Sequence, residues 1–477
     1  RQATSGNYDA KLSSRTYIWD VVKPVTELDN PTANYISLLN ITTGYSSYDT
    51  KQSITAVKIR VKKMTDGKWW NNTDWGTDTT PNNVDNVYDG GGTTKDRWDY
   101  DNLQTSALTY GTSYQIYTQA EDIATNIEDE VLKKTFYYDN IAPGTTIQYP
   151  IDQGETLGTP TFYGIYDDVL SGVSMVQIKL QDKDDNTNKF WKADSGADGT
   201  WQTAEIWNDC KVWASSWTYK YGGSALSEWY ILSSRGIDKA SPANTEASFK
   251  VGVNSNTFIV DNAAPNNLKF TVPGIDDSNI ARKDLVTFKG SSKDNRSHKV
   301  VDMTLQDLTW PNTFWNGAIW IAGEVNGSTR VVCNKSGTGI SITWDYTIPT
   351  SSMTSGHKYE CRVWATDNAG NKTANTGSYV KGDTDTVKQF LYESTEPDSL
   401  ITSHSDNMRA SVIATISGTC RDDFVLNNAG VDIVQVQVSN KDINSWLHIY
   451  ASSSVFEGTE IWYDASWDVI GSKWYKE

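Results

Sequence analysis

The residues best placed to do chemistry are acids that recur beside prolines. Asp20, Asp139, Asp261 and Glu393 each close an aromatic or β-branched run shortly before Pro24, Pro143, Pro265 and Pro397. Three further acids, Asp122, Asp238 and Asp367, each follow a tyrosine (Tyr114, Tyr230, Tyr359) by eight residues, and Asn371 ends the third of these runs. Ca²⁺ takes six to eight oxygens at roughly 2.3–2.6 Å from carboxylates, amide side chains and backbone carbonyls. Asp139, Asp261, Asp122, Asp238, Asp367 and Asn371 are therefore the expected metal set, at the joints between repeats, and Ca²⁺ is the one cofactor expected. Glu393 is followed by Ser394 instead of Asn, so its joint is the poorest site of the four. Asp and Asn are also ordinary turn formers, and that reading stands beside the metal one. The paired acids Asp167-Asp168 and Asp422-Asp423 suit turns or calcium better than a two-carboxylate hydrolase. No Ser/His/Asp set, phosphate loop or zinc spacing occurs, and a non-enzyme is expected.

Tryptophans are the second chemical resource, 20 of them beside 25 tyrosines. Trp69, Trp191, Trp315 and Trp446 stand at similar places along the chain, as core residues would. Trp75, Trp207 and Trp320 fall outside that pattern and are the candidates for stacking on a glycan, together with Trp213 and Trp310. The four cysteines are Cys210, Cys333, Cys361 and Cys420. Cys333 and Cys361 are the one pair that lies within a single repeat, and a disulfide between them is expected; the alternative is four buried small hydrophobes.

These residues sit on a repeated frame. The four prolines are 119, 122 and 132 residues apart. After each comes a strand with strict alternation: Val57 to Val61, Val176 to Leu180, Val301 to Leu305 and Val434 to Val438. One face of such a strand meets a core and the other meets water. Aromatic pairs then follow at Trp98/Tyr100, Trp217/Tyr219, Trp344/Tyr346 and Trp474/Tyr475. No segment holds a helical period with caps, while Gly, Asn, Asp, Ser and Thr punctuate every short apolar run. The expected fold is all-β: tandem immunoglobulin-like antiparallel β-sandwich domains in an elongated array. The expected division is a closing strand of a preceding domain at 1–23, repeats at 24–139, 140–261 and 262–393, and an incomplete repeat at 394–477. Both ends fall inside a repeat, and Arg1-Gln2-Ala3-Thr4 does not look like a native start, so a longer polypeptide is expected.

Composition narrows the partners. The chain of 477 residues carries a formal charge of -17, which leaves no basic surface for nucleic acid. No apolar stretch approaches the roughly 18–20 residues of a membrane span. Six Asn-x-Ser/Thr sequons occur, at Asn40, Asn71, Asn295, Asn326, Asn334 and Asn371, as chance would supply in so Asn-, Ser- and Thr-rich a chain.

The recurring motifs resemble those of bacterial immunoglobulin-like repeats in large cell-surface, adhesin-type proteins. The resemblance is carried by Asp139 to Pro143 and Asp261 to Pro265 at the joints, by Ser171-Gly172-Val173 with Val176 to Leu180, and by Tyr359 to Asn371. It implies sandwiches in series, with Tyr114, Tyr230 and Tyr359 as corner tyrosines bonding nearby backbone. The joints also look like the calcium-binding linkers of cadherins. The implied function is an extracellular structural or adhesive segment (stalk, filament or adhesin) of a larger repetitive surface protein. The alternatives are a glycan-binding module or a non-catalytic accessory region of a giant secreted enzyme. The expected partners are neighbouring repeats of the same chain or a cell-surface glycan, and the unpaired strand edges of the incomplete fourth repeat add further copies through strand addition by residues 16–20.

Overall fold

The computed structural model describes residues 14–477, apart from 50–52, 89–94, 184–187, 195–198, 275–280, 311–312, 324–328, 375–384, 411, 423–430, 451–452 and 469–472. Asp423 and the sequon Asn326 therefore lie outside the described residues. The chain divides into two compact units, residues 1–260 and 261–477. No helix among the described residues is long and apolar enough to cross a membrane.

Alternation in the sequence becomes alternation in burial. Along Ile54–Lys63 the side chains of Val57, Ile59 and Val61 are buried, while those between them are half-exposed. Val173–Asp182 and Val300–Asp307 repeat the pattern, although Val300–Asp307 is more deeply covered.

The first unit holds two sandwiches of the same design. In the first, Val25–Asn30, Thr42–Ser47, Lys95–Tyr100 and Asn86–Tyr88 form a four-stranded sheet in that spatial order. The facing sheet runs Tyr35–Ile36, Val131–Tyr138, Ser113–Asp122, Ile54–Lys63, Trp69–Trp70, Trp75–Gly76, with Asn82–Asn83 also pairing Ile54–Lys63. Tyr35–Ile36 is the one parallel partner in this sheet. The second sandwich repeats the order with Gly144–Tyr149, Thr161–Asp167, Ser216–Lys220 and Lys211–Val212. Its other sheet carries Gly154–Thr156, Ser255–Val260, Trp229–Asp238, Val173–Asp182, Phe190–Lys192 and Thr200–Gln202. The second unit holds a third sandwich, with Asn266–Val272, Thr287–Lys293, Ser341–Thr347 and Asn334–Ser336 facing a sheet centred on His357–Thr366 and Val300–Asp307. Within residues 398–476, Asp398–Ile401, Ile416–Arg421, Lys473–Lys476 and Ser466–Asp468 form one more sheet of the first kind, accompanied by one sheet of two short strands and one of three. The fold is thus all-β, a series of immunoglobulin-like sandwiches. Residues 14–24 take no strand, and Tyr17, Ile18 and Trp19 are exposed.

One contact recurs in all four four-stranded sheets. Gly44, Gly164, Gly290 and Gly418 lie opposite Trp98, Trp217, Trp344 and Trp474 on the neighbouring strand. A methyl at any of these glycines would fall 2.0–2.1 Å from the cross-strand carbonyl oxygen of Glu27, Thr146, Lys269 or Leu400, and within 2.7 Å of the indole. Only hydrogen leaves the ring room to lie on the strand, and each of the four rings is essentially fully buried. The tyrosine two residues on, Tyr100, Tyr219 or Tyr346, faces the same way. In the fourth sheet Tyr475 directly follows Trp474, so it points outward and is exposed.

Two sequence expectations need correction. The tryptophan equivalent to Trp191 and Trp315 is Trp70, not Trp69: Lys62 faces Trp69 as Gln181 faces Phe190 and Gln306 faces Phe314. A slip of one residue exchanges the faces of a strand, and it is Trp70 that is buried. Cys333 and Cys361 are free thiols, not a disulfide. Cys333 sits where Val84 and Cys210 sit, its N–H donating to Val301 as theirs donate to Val57 and Val176. Cys361 faces Leu305 as Ile116 faces Val61 and Leu232 faces Leu180. Both cysteines fill hydrophobic positions, and burial pushes the Cys333 thiol up to about 12.

Gly290→Ala is expected to destabilise the second unit by about 2–3 kcal/mol, because backbone and ring must both move. Gly76→Ala, with its nearest neighbour 3.9 Å away, is expected to stay within about 0.5 kcal/mol. Urea unfolding followed by tryptophan fluorescence measures both.

Candidate metal-binding site

The acids singled out by sequence lie at one end of each sandwich, where three chain segments converge. In the second sandwich Asp139 follows the strand Val131–Tyr138, Asp168 follows Thr161–Asp167, and Asp238 ends Trp229–Asp238. In the third, Asp261 opens the unit, Asp294 follows Thr287–Lys293, and Asp367 follows His357–Thr366. Asp139, Asp168 and Asp238 each offer a carboxylate oxygen within 4.8 Å of the other two, and so do Asp261, Asp294 and Asp367.

An asparagine clamp holds each group. Asn371 donates its backbone N–H to Asp367 Oδ1 at 2.8 Å and its Nδ2 to Asp367 Oδ2 at 2.7 Å and to the carbonyl of Asp261 at 2.8 Å. Asn244 makes the same three bonds to Asp238 Oδ1 (2.8 Å), Asp238 Oδ2 (2.6 Å) and the Asp139 carbonyl (2.9 Å). Asn126 bonds Asp122 likewise at 2.9 and 3.0 Å, but reaches the Asp20 carbonyl only at 3.4 Å. In return the N–H groups of Asp122, Asp238 and Asp367 donate to the carbonyls of Asn126, Asn244 and Asn371. The clamp ties the loop after the long strand to the backbone of the incoming segment. In the second sandwich this loop also bonds the first: Ser37 N–H donates to the Ser241 carbonyl and Ser241 N–H to the Tyr35 carbonyl, both at 3.1 Å.

The clamps engage both oxygens of Asp238 and Asp367, but oxygens of other acids in the clusters stay open. Asp261 Oδ1 accepts from Ala263 N–H and Asn295 Nδ2, and Asp294 Oδ1 from the N–H groups of Arg296 and Ser297. Asp261 Oδ2 and Asp294 Oδ2 are buried and take no hydrogen bond, and Asp168 Oδ2 is in the same state. A buried anionic oxygen without a donor costs several kcal/mol unless a cation meets it. Burial raises the Asp367 carboxyl above its ordinary 3.8; the bonds from Asn371 and Gly370 oppose the rise, and the charge of Asp261 adds to it. Hard, oxygen-only ligands in a tight anionic group suit Ca²⁺.

Of the expected set, the structure unites Asp139 with Asp238, and Asp261 with Asp367 and Asn371. Asp122 meets Asp20 only through Asn126. Sequence reading missed Asp294 and the clamps Asn126 and Asn244. Asp294 had a signal, since Asp168, Asp294 and Asp422 each stand four residues after the glycine beneath the tryptophan. Asn244 had none, because its loop runs six residues from the acid instead of four. Glu128 was also unforeseen: it accepts from Thr26 N–H and Oγ1 and from Ala120 N–H, as Glu246 accepts from Thr145 and Gly236, pinning the first strand of each sandwich.

Of the glycan candidates, Trp75, Trp207 and Trp320 are engaged within the fold, whereas Trp213 and Trp310 are exposed. Trp75 and Trp320 are equivalent to each other: their Nε1 groups donate to the carbonyls of Ala107 and Ser352, and their rings pack on Trp70 and Tyr114 or on Trp315 and Tyr359. Trp207 stacks on Phe249, with the Arg235 guanidinium 4.1 Å from its ring centroid. Tyr114 and Tyr359 act as corner tyrosines, their hydroxyls accepting from Thr109 and Thr354 N–H. The sequons Asn295 and Asn371 spend their Nδ2 groups on Asp261 and its partners.

No protein-family model and no curated protein matches the sequence. Among solved structures, the chain is similar to the FN1-FN3 domains of chicken CNTN1 at 9% identity and a TM-score of 0.27, over 77% of this chain and 97% of that one. It is similar to fibronectin(III)-like modules of Clostridium thermocellum CbhA at 11% identity and 0.26, over 50% and 94%. A sialic acid binding region of a Streptococcus sanguinis SK1 adhesin gives 14% and 0.19, over 80% and 81%.

Asn371→Ala is expected to cost about 2 kcal/mol, since it strands a buried carbonyl and a carboxylate oxygen; Asn126→Ala, whose reach to Asp20 is longer, costs less. Urea unfolding compares the two. A carbon-detected NMR titration in chelator is expected to place the Asp367 midpoint above 3.8. Because its folded value is raised, the metal-free protein binds this proton more tightly than the unfolded chain. The contribution of this group to stability therefore grows as pH falls from neutral through that midpoint toward 3.8.

Proposed function

We propose that this chain is an extracellular, force-carrying segment of a surface protein, a stalk or adhesin shaft, whose acid clusters bind Ca²⁺. The observation that carries the reading is the recurrence of one joint chemistry. Each sandwich closes its own core, and the segment that enters the next one is tied down by an Asp–Asn clamp beside a cluster of carboxylates. Repetition of a joint serves length and stiffness, whereas a catalytic site needs to occur once. Trp75, Trp207 and Trp320 serve packing, and the exposed Trp213 and Trp310 belong to different sandwiches, which disfavours the glycan-module reading. The reading is of a non-enzyme that meets neighbouring repeats of its own polypeptide.

The mechanism follows from the joint. In the first unit the segment at Asp139 is held by Asn244 and by Ser171 N–H on Asp139 Oδ2. A cation shared by Asp139, Asp168 and Asp238 would join the end of one strand to two strands of the next sandwich, so that separating them requires releasing the ion. A ligand that binds only the folded state adds about 2.7 kcal/mol at a hundred times its Kd.

Optical-tweezer extension of the full chain is expected to show successive unfolding steps, each releasing about 40 nm for a sandwich of this length. The rupture forces are expected to rise in millimolar Ca²⁺ and fall in chelator. One all-or-none event, or forces indifferent to chelator, overturns the reading.

A further inference from the structure

We infer that the clusters are graded: the third sandwich takes Ca²⁺ most tightly, the second more weakly, and the first not at all, because Tyr48 stands where the others have an aspartate. The inference rests on the reading that these clusters bind Ca²⁺ and adds which of them do so, and in what order.

The grading follows from the residue that leaves the glycine-bearing strand. Thr161–Asp167 and Thr287–Lys293 are followed at once by Asp168 and Asp294, and Thr42–Ser47 by Tyr48. Gly164, Gly290 and Gly44 lie opposite Trp217, Trp344 and Trp98 in the same register, so the three residues occupy one place in the fold. Tyr48 turns its hydroxyl to Asp96 Oδ1 at 3.2 Å and packs beside Ile54, Val57 and Trp98. The first cluster keeps Asp122, the clamp Asn126 and Asp20, whose Oδ2 is also buried without a hydrogen bond, but it offers two carboxylates instead of three. Ligand charge is a main determinant of Ca²⁺ affinity.

The second and third clusters carry equal charge and differ in burial and in open oxygens. Asp261, Asp294 and Asp367 are exposed by 1%, 5% and 0%, and two of them, Asp261 and Asp294, hold a buried oxygen that takes no hydrogen bond. In the second cluster Asp168 is only half-buried and holds the one such oxygen. Asp139 there accepts on both oxygens, from Ile141 N–H at 3.3 Å and Ser171 N–H at 3.1 Å. An ion entering the third cluster meets two anionic oxygens that nothing else solvates, in a drier setting where the attraction is stronger.

Hydrogen exchange on the full, unaltered chain, stripped with chelator and titrated with CaCl₂, tests the order. Amides at 261–263, 294–297 and 367–371 are expected to gain protection first. Those at 139–141, 168–171 and 238–244 follow at roughly ten times the Ca²⁺, and those at 20–22 and 122–126 stay unchanged. Calorimetry adds the variants: Asp294→Asn removes the tightest binding phase, Asp168→Asn removes the weaker one, and Tyr48→Asp adds a phase. If no segment responds to Ca²⁺, the underlying reading fails. If all three sets respond together, if the second precedes the third, or if the first responds in the unaltered chain, the binding reading survives and the grading is overturned.

Discussion

Much of this structure depends on a glycine beneath a tryptophan. Gly44, Gly164, Gly290 and Gly418 bring a strand so close to an indole and to the next strand's carbonyl that no side chain fits between them. The fit has a cost, since the Nε1 groups of Trp98, Trp217 and Trp344 are buried without a hydrogen-bond partner, a penalty of about 1–3 kcal/mol each. Burying an indole of up to about 250 Å² outweighs it, at roughly 25 cal/mol per Å². The contact therefore sets the register of the strand. A strand in fixed register delivers its fourth residue beyond the glycine to a fixed place, and in the second and third sandwiches that residue is an aspartate.

Packing and chemistry are in this way written on the same strand. The Asp168 and Asp294 carboxylates arrive at the sandwich end because the glycine arrives at the ring. The partner acids Asp238 and Asp367 come from the end of the long strand whose buried face carries Tyr230 or Tyr359, eight residues earlier. The third acid belongs to the joint itself. Three separate constraints on packing thus converge on one small volume, and the asparagine clamp closes it. The clamp uses all the polar capacity of its amide nitrogen, which is why a sequon at Asn371 is spent inside the fold.

The repeats share this plan but do not share every residue. Cys333 stands where Val84 stands, Cys361 where Ile116 and Leu232 stand, and each is accepted because volume and apolarity are what the position requires. Tyr48 in the aspartate position is a different kind of change. It preserves packing, through contacts with Ile54, Val57 and Trp98, while removing a charge. A series built from one plan can therefore vary the chemistry of its ends without disturbing its cores.

The sequence by itself determined the strands and the series. Alternation from Val57 to Val61 and from Val176 to Leu180 assigns inner and outer faces without any knowledge of partners, because period two belongs to a single strand. It also placed the acids Asp139, Asp238, Asp261 and Asp367, since their spacing to Pro and Tyr recurs. Tertiary structure alone decided which acids meet. Asp294 lies 33 residues from Asp261 and 73 from Asp367, and only the register of three strands brings them together. It also decided that Trp70 and not Trp69 faces inward, since strand registry turns on a single residue, and that Cys333 and Cys361 remain thiols. Asn244 was hidden for the same reason: a hydrogen bond depends on distance in space, and a loop two residues longer can close on the same acid.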